Sequence, residues 1–132
     1  KLFITRWNNE TLSLEIERNV SYYGNEVSLR QLISLLLDNA MKYSNPGGSI
    51  AVQFRTAGKN KVLSVKNTVS HIQKGKLDML FERFYRLDSS RSSQTGGYGI
   101  GLSVARAIVT AHKGKISAQS DDGRSILFTI VL

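Results

Sequence analysis

Asn39, Lys42 and Tyr43 stand three and four residues apart, a spacing that puts them on one face of a helix. An amide oxygen on Asn39 suits a magnesium ion, which prefers hard oxygen ligands and keeps several waters. Lys42 can meet a phosphate as a point charge, and Tyr43 adds a hydroxyl and a ring. Composition alone reads the same residues as the solvated end-turn of an amphipathic helix. A second group is Gly96-Gly97-Tyr98-Gly99-Ile100-Gly101, which leads straight into a helical pattern. Glycines let backbone approach a ligand closely, and a helix start offers free N–H groups and a positive dipole end to an anion. Phosphate binding is the natural reading, and a flexible glycine linker is the plain one. The run follows no strand and is not GxxxxGK[ST], so neither the dinucleotide fingerprint nor a P-loop is met. A third group is Phe81-Glu82-Arg83-Phe84-Tyr85-Arg86 with Arg91 beyond it. Arginine gives a fixed donor fork for phosphate oxygens, set against the plain reading of aromatic packing and surface ion pairs.

These groups need elements to position them. Residues 1 to 10 have no clear period, and they read as the tail of an upstream element plus a first strand. Thr11 to Glu17 alternates Leu12, Leu14 and Ile16 with polar residues, which predicts a half-buried strand. Asn25 can cap a helix running to about Tyr43, with Leu29, Leu32, Ile33, Leu36, Leu37 and Ala40 on its core face. Ser44-Asn45-Pro46-Gly47-Gly48 stops it. Ser49 to Thr56 and Val62 to Val65 read as a hairpin about a turn at 57 to 60. Residues 67 to 76 read as loop, and Leu77 to Phe84 as a short helix. Arg86 to Gly99 has few apolar anchors, which predicts a mobile segment. A helix follows over about Gly101 to His112 with Gly114 as its terminal glycine. Ile116 to Ala118 and Ile126 to Val131 close the chain as strands. The pattern is α+β: helices on one face of a mixed, mostly antiparallel sheet, in one domain over residues 1–132.

Bulk properties set outer limits. The 132 residues are one domain's worth, and 41% hydrophobic with 21% charged residues argues against disorder. With no cysteine there is no disulfide framework, thiolate metal site or cysteine nucleophile. The net charge of +8 admits an anionic partner. The basic residues are scattered without interleaved aromatics, which places nucleotide phosphates ahead of nucleic acid.

Taken together, the order and spacing carry a family resemblance. Leu35-Leu36-Leu37-Asp38-Asn39-Ala40-Met41-Lys42-Tyr43-Ser44 resembles the N box of bacterial sensor histidine kinases. Leu80-Phe81-Glu82-Arg83-Phe84-Tyr85-Arg86 resembles their F box, and Gly97-Tyr98-Gly99-Ile100-Gly101-Leu102-Ser103 their G2 box. The likeness runs from about Val20 to Leu132, and the family belongs to the larger gyrase–chaperone–histidine kinase ATPase group. It implies a two-layer helix-on-sheet fold that binds ATP and Mg2+ and passes the γ-phosphoryl group to a histidine on a separate domain. By resemblance, Asn39 binds magnesium, and Lys42 and Tyr43 contact phosphates and nucleotide. Arg86 and Arg91 reach toward the terminal phosphates. Gly97, Gly99 and Gly101, with Leu102 beside them, shape the phosphate-binding lid and helix start.

Two positions depart from the family pattern. Leu35 stands where many relatives carry a second asparagine. Asn67, in Val65-Lys66-Asn67-Thr68-Val69-Ser70, stands where the G1 box has its aspartate, and its glycines are missing. The Asn67 carbonyl remains able to accept the adenine amino group as a neutral acceptor. Neither His71 nor His112 sits in an H-box pattern, and His112 reads as a packing or dipole partner at a helix end. The resemblance therefore implies a phosphoacceptor and dimerisation domain and a sensor upstream. It also implies a homodimeric parent in the cell membrane with this domain in the cytoplasm, and a response regulator downstream. Two alternatives stand beside this reading: a regulatory pseudokinase module, which the altered G1 box motivates, and a serine-directed kinase of the same fold.

Overall fold

A computed structural model describes residues 2–7, 10–17, 24–45, 47–82 and 101–132. Its strands are β1 (Leu2–Trp7), β2 (Glu10–Ile16), β3 (Ser49–Ala57), β4 (Asn60–Thr68), β5 (Gly75–Lys76), β6 (Lys115–Ser120) and β7 (Ser125–Val131). Its helices are α1 (Glu26–Tyr43) and α2 (Gly101–Ala111), with one 3-10 turn at Asp78–Phe81. The strands form one sheet in the order β1-β2-β3-β4-β7-β6-β5. Among the described residues only the β2–β3 pair is parallel, which is the pair bridged by α1.

Alternation along the central strands sorts the sheet into two faces. Ile50 lies opposite Asn67, Val52 opposite Val65 and Phe54 opposite Leu63 on β3 and β4. On the next pair, Asn67 faces Ile126, Val65 faces Phe128 and Leu63 faces Ile130. These residues line the face that the helices cover. Leu32, Leu36 and Ala40 of α1 are buried against it at 1%, 0% and 0% exposure, with Ala105, Ile108 and Val109 of α2 beside them. Phe81 from the 3-10 turn meets Phe128 edge to face, ring centroids 6.0 Å apart, a geometry worth about 0.5–1.5 kcal/mol beyond buried area.

The helix ends follow local chemistry. Asn25 caps α1, its side chain accepting from the Ser28 N–H at 2.9 Å, and so takes up one of the four donors a helix start leaves free. Glu26 in the first turn and Lys42 in the last complement the helix dipole. His112 ties the two helices together. Its Nε2 accepts from the Asn25 backbone N–H at 3.1 Å, and its Nδ1 lies 2.9 Å from the Ile108 carbonyl. The dipole role expected at this position is thus joined by a bond to the start of α1.

The structure corrects several element boundaries. Of the segment expected as a helix over Leu77 to Phe84, the described residues, to Glu82, form a 3-10 turn, Asp78–Phe81, closed by Glu82 N–H to Met79 carbonyl at 3.1 Å. The expected loop over 67 to 76 begins inside β4, which runs to Thr68, and contains β5, held by backbone pairing of Gly75 with Ser120. β1, which has no sequence period, takes its form from antiparallel pairing with β2. At the end of α2 the left-handed residue is Lys113, φ 60°, rather than Gly114. The Lys113 N–H bonds Thr110 and the Gly114 N–H bonds Val109, both at 2.9 Å. That is a Schellman ending with glycine one place further on than expected. Gly114 is required for closeness: a Cβ there would lie 2.5 Å from the Val131 carbonyl oxygen.

The two positions therefore separate in a melting experiment. Gly114→Ala forces backbone apart and is expected to cost about 1–3 kcal/mol, as overpacking does. Lys113→Gly relieves a left-handed non-glycine residue and is expected to leave stability unchanged or raise it by up to about 1 kcal/mol. Thermal unfolding by circular dichroism reads both; equal losses at the two positions would contradict this assignment.

Candidate functional site

The leucine stripe of α1 sets where its polar face points. Leu36 and Ala40 are fully buried, whereas Asn39 and Tyr43 are half-buried and Lys42 is exposed. Leu35 lies one helical turn before Asn39 on the same flank. An ideal Cβ on Gly101, the first residue of α2, would sit 3.7 Å from Leu35 Cδ2. The start of α2 is thereby placed about one helical turn, roughly 5.4 Å along α1, from Asn39. Leu35, the departure from the family's second asparagine, is the described side chain that lies beside the α2 N-terminus.

Gly101 itself is exposed, and nothing closer than Leu35 among the described atoms meets its missing side chain. The fold does not require glycine there on steric grounds. Leu102 is half-buried and packs against the core. Of the remaining expected site residues, Arg86, Arg91, Gly97 and Gly99 lie outside the described residues.

Asn67 sits inside β4 on the helix-covered face, 1% exposed. Its Nδ2 donates to the Thr68 carbonyl at a long 3.3 Å. Its Oδ1 is buried and has no hydrogen-bond partner. An unpaired buried acceptor costs about 1–3 kcal/mol, and such an atom in a folded core calls for a ligand or water. The connection leaving α1 closes over the same strand end: the Asn45 N–H donates to the Thr68 carbonyl at 3.2 Å, and Thr68 Oγ1 accepts from the Ser49 N–H at 2.9 Å. Ser44 Oγ and Asn45 Oδ1 are further buried oxygens without partners here. In the sequence, Ser44 and Asn45 read as a helix stop, Ser44 also ending the N-box resemblance, and nothing but two polar residues directly after Tyr43 marks them further. The connection after the last turn of α1 thus meets the end of β4 through Asn45 and Thr68, while the first turn of α2 approaches α1 at Leu35.

The segment after Asn67 is anchored by the β6–β7 turn. Val69 N–H donates to the Arg124 carbonyl and Ile72 N–H to the Gly123 carbonyl, both at 2.9 Å. Asp122 organises that turn. The Arg124 backbone N–H, and then the Ser125 hydroxyl, hold its carboxyl below the usual range. His71 is exposed in this segment.

A separate cleft of about 300 Å³ is lined by Glu15, Glu17, Gln53, Phe54 and Arg55. Its carboxylates are engaged, Glu15 with Gln53 Nε2 at 3.1 Å and Glu17 with the Thr56 N–H at 2.9 Å. It lies toward the far end of β3 from Ile50, the partner of Asn67. Among the described residues no three His, Asp or Glu side chains gather to hold a metal, and none of the helices is long and apolar enough to cross a membrane.

Comparison with known proteins agrees with this architecture. The sensor histidine kinase RppB of Synechocystis is 36% identical over 110 residues, 83% of this chain and 24% of that protein. The phosphate regulon sensor protein PhoR of Pseudomonas aeruginosa is 36% identical over 121 residues, 92% of this chain and 27% of that protein. The chain thus spans about a quarter of the length of these relatives. Among solved structures, a mycobacterial sensor histidine kinase, MprB, superposes with a TM-score of 0.75 at 21% identity, covering 94% of this chain and 81% of that one. The histidine kinase AdeS of Acinetobacter baumannii gives 0.72 at 26% identity, covering 95% and 54%. The match that names the family covers residues 24–132, from just before the Asn25 cap to the last residue of β7's tail. This chain belongs to the histidine kinase-, DNA gyrase B- and HSP90-like ATPases.

Proposed function

We propose that this domain binds ATP with Mg2+ and presents the γ-phosphoryl group to a histidine on a phosphoacceptor domain of the same parent protein. The observation that carries the reading is the seating of the α2 N-terminus beside the Asn39 flank of α1 through Leu35 and Gly101. A helix start with a bare first residue receives phosphate through its free N–H groups and dipole. The Asn39 carboxamide, half-buried one turn from that point, is the oxygen donor for magnesium, which supplies charge neutralisation on the phosphates. Lys42 adds a positive charge at the rim, and Tyr43 a wall. Asn67 Oδ1, buried and unpartnered, accepts from the adenine amino group. Solvent does not reach that oxygen in this structure, so contact with the base entails a shift of the wall that covers it.

Phosphoryl transfer asks the protein for positioning and charge stabilisation, with the attacking group in line. Arg86 and Arg91 belong to this proposal as donors to the terminal phosphates, and Gly97 and Gly99 as close backbone approach. His112 is held at the far end of α2, about 16 Å from its start at the helical rise, and is bonded to both helices. In this reading the acceptor is a histidine supplied from elsewhere in a homodimeric parent, a membrane sensor that signals to a response regulator. The neutral Asn67 in place of an acidic reader favours one second reading, a nucleotide-binding regulatory module without turnover.

Three experiments test this. Calorimetry is expected to show magnesium-dependent ATP binding; no binding, or equal affinity for GTP, would remove the adenine site. Asn39→Ala is expected to abolish transfer while leaving the melting temperature within about 2 °C, since an off-stripe surface change falls within about 0.5 kcal/mol. With labelled ATP and a separately made phosphoacceptor domain, label is expected on the partner's histidine and none on this chain. Stable label on His71 or His112 would contradict the two-domain mechanism, acid-stable label on the partner would indicate serine, and label nowhere would favour the regulatory module.

A further inference from the structure

Thr68 holds the connection between α1 and β3 to the end of β4, through its backbone and through its side chain. The Thr68 carbonyl accepts from the Asn45 N–H at 3.2 Å and from Asn67 Nδ2 at 3.3 Å. One oxygen thus ties the chain two residues beyond Tyr43 to the amide that carries the orphaned Asn67 Oδ1. On the side chain, Thr68 Oγ1 accepts from the Ser49 N–H at 2.9 Å. Gly48 leaves room for that bond: a Cβ built there would collide with Thr68 Oγ1 and lie 2.6 Å from Asn45 Oδ1. The ladder between β3 and β4 begins at Ile50 opposite Asn67, so Asn45 and Ser49 lie beyond it, and both of their bonds to β4 end on Thr68.

We infer that Thr68 is a positioning residue for the base: its hydroxyl, bonded to the Ser49 N–H, fixes where the Tyr43 end of α1 stands relative to Asn67. The inference rests on the adenine reading above, in which Tyr43 walls the nucleotide and Asn67 meets the base. With the hydroxyl removed, the Ser49 N–H loses its acceptor, and the connection is left on one bond to β4, from the Asn45 N–H at 3.2 Å. Ser49 is exposed, so water takes the place of the lost acceptor and the cost to the fold is small. β4 keeps its pairing with β3 through Asn67 and with β7 through Thr68. The change therefore loosens the wall facing Asn67 more than it loosens the sheet. The base keeps the same surroundings while the phosphoryl group moves, so this wall binds ground state and transition state alike. Loss of such uniform binding raises KM and leaves kcat unchanged.

Thr68→Val replaces the hydroxyl with a methyl group of similar size, and Thr68→Ser keeps the hydroxyl. Calorimetric titration of this chain with ATP and magnesium is expected to show Thr68→Val about tenfold weaker and Thr68→Ser within about twofold of the unaltered chain. In transfer from ATP to a separately made phosphoacceptor domain, Thr68→Val is expected to raise KM for ATP about tenfold and to leave kcat within about twofold. Unchanged ATP affinity in Thr68→Val would overturn the inference, as would a Thr68→Ser variant as weak as Thr68→Val. A fall in kcat at unchanged KM would assign Thr68 to the reacting end of the nucleotide and overturn it too. The titration needs no turnover, so it decides alone where transfer is absent. If Thr68→Val does not fold, Thr68→Ala, which removes the hydroxyl and puts nothing in its place, is titrated instead. Failure of that variant to fold would assign Thr68 to the fold alone and overturn the inference. An unaltered chain that binds ATP no better than GTP would remove the adenine reading itself, a result distinct from any difference among the Thr68 variants.

Discussion

Burial of Leu32, Leu36 and Ala40 against the sheet fixes the rotation of α1 about its own axis. Each residue advances about 100° around a helix, so this stripe leaves Asn39 about 60° from Leu36, on the flank rather than in the core. The same rotation brings Leu35 to the start of α2. A turn of α1 by one residue would bury the carboxamide or send it to solvent, and would unseat the α2 N-terminus with it. The placement of this polar flank is thus a by-product of an apolar constraint.

The second fixed wall is the end of β4. Asn67 is held by strand pairing on both sides, with Ile50 and Ile126 opposite it. The connection after α1 is laced to Thr68 through Asn45, and the segment after β4 is laced to the β6–β7 turn through Val69 and Ile72. An unpaired buried oxygen is tolerated here because the surrounding backbone is satisfied, so the cost stays local. Such local costs concentrate at functional sites.

Much of this was readable in the residues. The stripe over Leu29 to Ala40, the Asn25 cap and the alternation of Ile50, Val52 and Phe54 each follow from one element's own periodicity, and the structure bears them out. The N-box, F-box and G2-box residues carried the family without any coordinates. What was not readable depends on partners distant in sequence. β1 and β5 exist through backbone pairing that no local pattern encodes. Gly114 owes its glycine to Val131 rather than to its own φ. Asn67 read as an altered acceptor, but its isolation depends on which side chains surround it in three dimensions.

The proposed nucleotide site joins Asn39, the start of α2 and Asn67. A crystal structure of this chain with magnesium and a non-hydrolysable ATP analogue tests it most directly. The expected result is phosphates at the Gly101 end of α2, the metal on Asn39 Oδ1, and the adenine amino group within about 3 Å of Asn67 Oδ1. A nucleotide seated in the cleft beside Glu15 and Arg55, or a base turned away from Asn67, would contradict it.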